Sequence, residues 1–251
     1  MKKLFGLLGF PLSHSFSKQY FTDKFEQQGL SDEFEYQNFE LENLENLTSV
    51  IKDEGSLLGL NVTIPHKQTV IKYLDSLSLA ARSIGAVNTI VIDRKKGIQL
   101  KGDNTDWIGF RTSLLKMIGE NRPNALILGT GGSSKAVEYV LQSLKINYKF
   151  VSRTNSGANC TSYEDLTDSD ISDSKLIINT TPLGMFPKMD FSPEINYGLL
   201  NNQHFLFDLI YNPDLTLFLK KGIAQGCSVK NGLEMLELQA EASWQIWNTS
   251  H

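Results

Sequence analysis

Three short polar clusters hold residue types that could transfer a proton and recognise hydroxyls: Ser13-His14-Ser15-Phe16-Ser17, Asn61-Val62-Thr63-Ile64-Pro65-His66-Lys67 and Gly102-Asp103-Asn104-Thr105-Asp106. A lysine ammonium can give a proton to a developing alkoxide and take it back, while aspartate, asparagine and threonine groups hold hydroxyls. Gathered in one place, these groups would suit a polyhydroxylated carboxylate. Read singly, each has a plainer explanation: Ser17 or Asn104 as a helix cap, Lys67 as a surface charge, Asp106 as a first-turn acid matching the helix dipole. His66 would alternate to the side opposite Lys67 in an extended segment, which fits a structural role.

A fourth segment has different chemistry. Ala125-Leu126-Ile127-Leu128 runs into Gly129-Thr130-Gly131-Gly132-Ser133-Ser134 and then into the helical pattern Lys135–Leu141. This is strand, glycine turn and helix, in which Gly129 allows the tight turn, Gly131 lets backbone approach a pyrophosphate, and the first amides of the helix face its charge. Ser134 replaces the third glycine of the usual spacing, so a plain tight turn stays open as the alternative. The next strand, Lys149–Val151, ends in Ser152-Arg153-Thr154. An acid there would take the ribose hydroxyls of NAD, whereas Arg153 and Thr154 offer a planar cation and a hydroxyl to the 2′-phosphate of NADP. NADP is the expected cofactor and NAD the lesser alternative, with a solvated loop arginine as the plain reading of Arg153.

The elements that would position these groups alternate along the chain, short apolar runs with longer helical patterns, which defines an α/β class with parallel sheets flanked by helices. The first part reads as strands at 3–9, 34–39, 57–62, 86–93 and 98–101, with helices at about 17–28, 43–52 and 67–73. A helix over 105–118 connects to a second series of strands at 125–128, 149–151, 176–179 and 205–209. A final helix over 232–247 carries Met235, Leu238, Ala242 and Ile246 at helical spacing, with Trp244 and Trp247 close by as core residues. The expected division is a substrate-binding domain over 1–104, completed by 233–251 as the last helix returns to it, and a Rossmann-type dinucleotide domain over 105–232. In open α/β sheets, loops beyond the carboxyl ends of strands line the ligand crevice, so the three polar clusters would converge there.

Composition narrows the classes. Of the 251 residues, 41% are hydrophobic and 21% charged, enough to fill a core, and the net charge of −4 offers no basic face to nucleic acid or an anionic membrane. Cys160 and Cys227 are the only cysteines and lack the close spacing of metal or redox motifs, so no metal is expected and a reducing cytoplasm is the default. Met1-Lys2-Lys3 before an apolar run has the outline of a signal peptide, but Pro11-Leu12-Ser13-His14 offers no small-residue cleavage site and a buried first strand explains the run. No stretch approaches the roughly 20 apolar residues of a spanning helix.

In this order the clusters resemble the shikimate dehydrogenase family over nearly the whole chain. Gly9-Phe10-Pro11 through Ser17 is similar to the family's opening substrate loop, 61–67 to its lysine motif, Gly85-Ala86-Val87-Asn88-Thr89 to the next block and Asn104-Thr105-Asp106 to the one after. The second part adds Gly129–Ser133, Asn179-Thr180-Thr181-Pro182-Leu183-Gly184-Met185, Asp208-Leu209-Ile210-Tyr211-Asn212-Pro213 and Asn231-Gly232-Leu233-Glu234-Met235-Leu236, with Gln239 one turn on. The resemblance implies that Lys67 and Asp106 form a catalytic pair, that Ser15 and Ser17 bind a substrate carboxylate, and that Thr63, Asn88, Asp106 and Gln239 bind hydroxyls. Tyr211 would approach the substrate. The cofactor would meet Gly129, Gly131, Gly132, Ser133, Arg153 and Thr154, with Gly232 near the nicotinamide. The implied reaction is the reversible, NADP-dependent interconversion of 3-dehydroshikimate and shikimate by a monomer or homodimer.

Departures from the family pattern also stand out. Lys18 and Tyr20-Phe21 replace a proline and a histidine-asparagine pair, and Trp107 stands where a glycine follows the catalytic aspartate. Ser152 and Gly157 thin the phosphate-binding loop, which keeps an NAD-preferring quinate or shikimate dehydrogenase as the alternative. A catalytically weak binding homologue would be marked by loss of Lys67 or Asp106, and both are present.

Overall fold

The computed structural model describes residues 2–12, 16–154 and 159–250. It resolves into two compact units, one of residues 1–105 with 240–251 and the other of residues 106–239.

The first unit is built on a six-stranded sheet of β1 (Lys3–Gly9), β2 (Phe34–Glu40), β3 (Leu57–Val62), β4 (Ser76–Leu77), β5 (Thr89–Asp93) and β6 (Gln99–Asp103), in the order β2-β1-β3-β5-β6-β4. Its strands are apolar on both faces because both faces are covered. Leu4 and Leu8 of β1, Leu60 and Val62 of β3, and Ile90 and Ile92 of β5 pack on one side with helix α2 (Leu47–Asp53) and Ala81 of helix α3 (Leu79–Ile84). Their neighbours Phe5, Leu7 and Val91 face the other way, onto Phe21 and Phe25 of helix α1 (Phe16–Gln27) and onto Ala240, Trp244 and Trp247. Those last three residues belong to the closing helix, so its tryptophans are core, as their spacing implies. The Trp247 indole donates to the carbonyl of Ile90 at 3.0 Å.

This sheet is mixed, not parallel as the strand pattern implied. β1 pairs in parallel with β2 and β3, but β5 runs antiparallel to both β3 and β6. The two reversals bring the end of β6 back to the edge where β1 and β3 end. Three local expectations also shift. The helix expected at 43–52 starts at Leu47. Lys67–Tyr73 is a 3-10 turn over Thr69–Tyr73, which leaves Lys67 in the loop before it. The strand expected from Ala86 starts at Thr89 because α3, capped by Ser78 and stopped by Gly85 at φ +69°, occupies the preceding residues and leaves 86–88 as a buried loop.

The second unit has a fully parallel sheet of β7 (Ala125–Leu128), β8 (Tyr148–Ser152), β9 (Cys160–Ser162), β10 (Leu176–Asn179), β11 (Phe205–Asp208) and β12 (Ser228–Lys230), in the order β12-β11-β10-β7-β8-β9. Counted within the unit this is 3-2-1-4-5-6, the doubly wound dinucleotide-binding order, with its switch point between β7 and β10. Ala125, Ile127, Leu176 and Ile178 pack on helices α4 (Asp106–Ile118) and α5 (Gly132–Ser143); Leu126, Leu128, Ile177 and Leu206 face α6 (Asp168–Asp173) and α7 (Leu217–Ala224). A last helix, α8 (Leu233–Ser250), contributes its first turns to this unit and residues 240–250 to the first.

Candidate active site

In the first unit the register sets Leu7, Asn61, Thr89 and Asp103 side by side across β1, β3, β5 and β6. The loops leaving that row carry the candidate substrate groups. Thr63 is tied back by its N–H to the carbonyl of Leu8 at 2.9 Å, and Gly9 lies so close to the Thr63 methyl that a side chain there would overlap it. The carbonyl of Lys67 accepts from the N–H of Val87 at 2.7 Å, which fixes the lysine backbone one residue from Asn88. His66 is buried with its Nε2 2.5 Å from the Leu41 carbonyl, the structural role expected of it.

Asn88 is held from several directions. Its N–H donates to Asp103, its carbonyl accepts from Val62, and its side-chain Oδ1 accepts from the N–H of Thr105 at 2.6 Å. Asn104 is buried and donates its amide to the Ala86 carbonyl at 3.0 Å, so it serves as a loop tie. Ser17, on the first turn of α1, shares a hydrogen bond with the buried phenol of Tyr36, whose pKa burial drives well up. Ser13, His14 and Ser15 lie outside the described residues.

In the second unit Asp106 opens α4 and is buried, at 5% exposure. Trp107 follows it in the same regular helix and meets the ring of Tyr139 on α5 edge-on, with centroids 5.7 Å apart. Gln239 is buried on α8 and donates to the Leu236 carbonyl at 2.8 Å. Tyr211 is half-buried, and burial raises its phenol.

The glycine turn sits at the switch point. Gly129 adopts φ +103°, and a Cβ there would lie 2.9 Å from both Thr180 Oγ1 and Thr181 Cγ2, so only glycine fits. Thr180 in turn donates its N–H and hydroxyl to the Leu128 carbonyl at 2.9 and 2.7 Å, locking the ends of β7 and β10 together. Gly131 is the N-cap of α5 and has no heavy atom within 4 Å of a Cβ position, leaving its backbone open to an approaching anion; Gly132 and Ser133 follow as the first helical residues. Ser134, in place of the third glycine, is accommodated because it is small, buried, and satisfies its hydroxyl on the Gly131 carbonyl at 2.6 Å. These features fit a pyrophosphate. Arg153 and Thr154 lie exposed just past β8, and Ser152 fastens that turn by donating to the Thr154 carbonyl. Burial, with help from Glu194, lifts the Tyr163 phenol to about 12 against the opposing field of Arg153.

Two supports of this unit stand in motif blocks of the sequence that assign them no role. Asp208, at the end of β11, accepts from Asn179 Nδ2, Ile210 N–H and Thr216 Oγ1 at 3.0, 3.0 and 2.6 Å; burial nevertheless raises its carboxyl to about 6. It thereby joins the Asn179–Thr181 loop to the loop carrying Tyr211. Glu234, at the start of α8, receives Ser113 Oγ and Lys116 Nζ of α4 at 2.7 and 2.5 Å and Lys230 Nζ at 2.5 Å. Partial burial works to raise its pKa, but these donors outweigh it and hold the carboxyl down at about 2. Gly232, just before α8, packs on the Leu209 carbonyl with no room for a side chain. Among the described residues no three His, Cys, Asp or Glu side chains gather to hold a metal ion, and no helix is long and apolar enough to cross a membrane.

A Rossmann-ordered sheet with a glycine turn at its switch point, joined in one chain to a mixed α/β unit whose sheet edge gathers lysine, threonine and asparagine, defines a two-unit α/β protein of the dinucleotide-binding class. The profile of the shikimate dehydrogenase substrate binding domain matches residues 7–90. A shikimate dehydrogenase (NADP(+)) of Clostridium beijerinckii is 41% identical across 98% of this chain and 92% of its own length. The chain belongs to the shikimate dehydrogenase family. Among solved structures, shikimate 5-dehydrogenase of Thermus thermophilus, in complex with NADP(H) and shikimate, superposes with a TM-score of 0.85 at 30% identity, covering 99% of this chain and 94% of that one. Quinate dehydrogenase of Corynebacterium glutamicum, in complex with NAD, gives a TM-score of 0.87 at 25% identity with the same coverage.

Proposed function

We propose that this chain is a shikimate dehydrogenase that reversibly reduces 3-dehydroshikimate to shikimate with NADPH, in the pathway of aromatic amino-acid biosynthesis. The observation that carries the reading is that the lysine of the family's motif is retained and its backbone clamped to Val87, beside an Asn88 whose amide is fixed by Thr105.

When bound, the nicotinamide supplies or accepts the hydride at the ring carbon. Lys67 donates a proton to the oxygen of that carbon during reduction and takes it back during oxidation. Asp106 is the proposed second member of the catalytic pair and also holds a ring hydroxyl, as do Thr63, Asn88 and Gln239 through their own polar groups. Ser15 and Ser17 receive the substrate carboxylate, and Tyr211 approaches the substrate. Gly129, Gly131, Gly132 and Ser133 take the pyrophosphate on backbone amides at the start of α5. Arg153 and Thr154 take the 2′-phosphate, and Gly232 lies by the nicotinamide. Residues 1–104 with 233–251 are the proposed substrate domain and 105–232 the cofactor domain. Free Cys160 and Cys227 support a reducing cytoplasm, and the active form is a monomer or homodimer.

A second reading, a quinate or shikimate dehydrogenase that prefers NAD, is favoured by the thin loop after β8 and by the likeness to the NAD-bound quinate enzyme. Purified protein given shikimate or quinate with NADP or NAD, and followed by the absorbance of reduced nicotinamide, separates the readings. Fastest turnover with shikimate and NADP is expected. Turnover only with NAD selects the second reading, and none with any pair removes both.

A further inference from the structure

Within the first unit a chain of buried hydrogen bonds runs from Ser17 to Asn88, two residues proposed above to hold the substrate's carboxylate and one of its hydroxyls. Ser17 bonds the Tyr36 phenol, and the Tyr36 hydroxyl donates to Asn61 Oδ1 at 2.8 Å. The amide of Asn61 cannot be turned over, because its Nδ2 lies 3.3 Å from the carbonyl of Asn88, which only accepts. That nitrogen donates to Ser243 Oγ at 3.0 Å. Ser243, on α8, has the hydroxyls of Thr89 and Thr105 at 2.7 and 3.0 Å. Thr89 donates to Asn88 Oδ1 at 3.0 Å, and the N–H of Thr105 fixes that atom as the oxygen, so the Asn88 nitrogen is left as the donor and reaches Thr105 Oγ1 at 2.9 Å. Tyr36, Asn61, Asn88, Thr89, Thr105 and Ser243 are each no more than 4% exposed, so bulk solvent does not compete for these bonds.

Ser243 joins the halves of this chain through its shortest contacts, beside the longer ones from Asn61 Nδ2 to the Asn88 carbonyl and to Thr89 Oγ1 at 3.3 and 3.5 Å. We propose that Ser243 is a positioning residue for substrate binding: its hydroxyl couples the Ser17–Tyr36–Asn61 arm to the Thr89–Thr105–Asn88 arm and so sets the donor face of Asn88 and the seat of Ser17 together. The inference rests on the substrate-binding roles proposed for Asn88 and Ser17. A network satisfied throughout holds its members in one arrangement, whereas removing the central hydroxyl leaves Asn61 Nδ2 with its longer contacts alone and takes away the partner that orients the Thr89 and Thr105 hydroxyls on Asn88. The bonds named above run to Asn88 and Ser17, the groups proposed to hold the substrate, so the effect falls on substrate affinity.

The test is steady-state kinetics on the full-length enzyme, with shikimate and NADP varied separately, for Ser243→Ala, Thr89→Val, Thr89→Ser and, as control, Asn88→Ala. Ser243→Ala and Thr89→Val are expected to raise KM for shikimate about 10-fold, the effect of losing roughly one buried hydrogen bond, with kcat and KM for NADP changed less than about 3-fold. Thr89→Ser keeps the hydroxyl and should stay near the wild type, and the Ser243→Ala/Thr89→Val double variant should be no worse than either single one. Asn88→Ala must itself raise KM for shikimate; if it does not, the underlying site reading fails and the inference with it. If it does, but Ser243→Ala and Thr89→Val leave KM for shikimate within 2-fold, or raise both KM values alike, the positioning role is overturned while the site reading stands. Should Thr89→Val fail to fold, Ser243→Ala against Thr89→Ser decides the same question.

Discussion

Gly109 of α4 rests directly on the backbone carbonyl of Met235 in α8, so closely that a methyl group on Gly109 would overlap it, with Gln239 N a further 3.1 Å neighbour. The atom in the way is backbone and cannot rotate aside. Ser113 and Lys116, one and two turns further along α4, close the same contact through Glu234. The approach of these helices sets Asp106, at the head of α4, relative to Gly232 and Gln239.

Gly109→Ala is therefore expected to destabilise the fold by about 1–3 kcal/mol, the usual cost of overpacking, even though alanine is the better helix former. Thermal unfolding measures the loss. Activity should fall further than the unfolded fraction explains, because the helices must move apart; equal stability and activity in variant and wild type would show that the contact yields without effect.

Asp208 makes stability depend on pH in a direction opposite to that of an ordinary paired carboxylate. Its carboxyl titrates near 6 when folded against 3.8 as the reference for the unfolded chain, so the folded protein keeps a proton that the unfolded chain has lost in between. The contribution is fully present below about pH 4 and is lost as pH rises through about 6, amounting to roughly 3 kcal/mol at 1.36 kcal/mol per unit. Asp208→Asn has no proton to lose and can still accept from Asn179 and Ile210. Denaturant unfolding at pH 4 and pH 7 should show wild-type stability falling relative to this variant between the two; a constant difference would contradict the raised pKa.

How far these features could be read in advance depends on whether the signal was local. β1, β3, β7 and β10 are buried on both faces, and a continuous apolar run marks each at its observed bounds. β4, β9 and β12 are two or three half-exposed residues at sheet edges, too short to show a period. The direction of β5 was missed although a clue was present: only residues 94–98 separate it from β6, with Gly97 at φ +100°, and a parallel crossover needs about a dozen residues or more. α3 was missed because six residues make less than two turns, yet Ser78 and Gly85 frame it as N-cap and C-cap. Motif residues such as Lys67, Asp106 and Gly129 carry their chemistry in their neighbours along the chain. Ser243 has no such mark, because its bond to Asn61 spans 182 positions and only the folded sheet brings them together.

Arg153 sets the choice of cofactor under the proposed function, and its exposure past the end of β8 makes it separable from folding. Arg153→Ala should leave thermal stability within about 0.5 kcal/mol, as for most surface changes. It should lower kcat/KM for NADPH about 10- to 100-fold, the loss of a charge-assisted bond to phosphate, and leave kcat/KM for NADH unchanged. Parallel losses with both cofactors would mean that the arginine holds the loop and not the phosphate.

Lys67 is the sharpest test of the chemistry because its backbone and side chain do separate work. The carbonyl that accepts from Val87 N–H survives any change of side chain, and the lysine is only half-buried in a loop that precedes the Thr69–Tyr73 turn. Truncation leaves no large cavity. Lys67→Ala should thus unfold close to the wild-type temperature while kcat falls by about 10²-fold or more, the scale of lost general acid–base catalysis. Because the proton is transferred at the transition state, KM for shikimate should move much less than kcat. A variant that turns over at the wild-type rate would take the proton donor away from Lys67, and one that binds shikimate weakly with kcat intact would make it a substrate anchor instead.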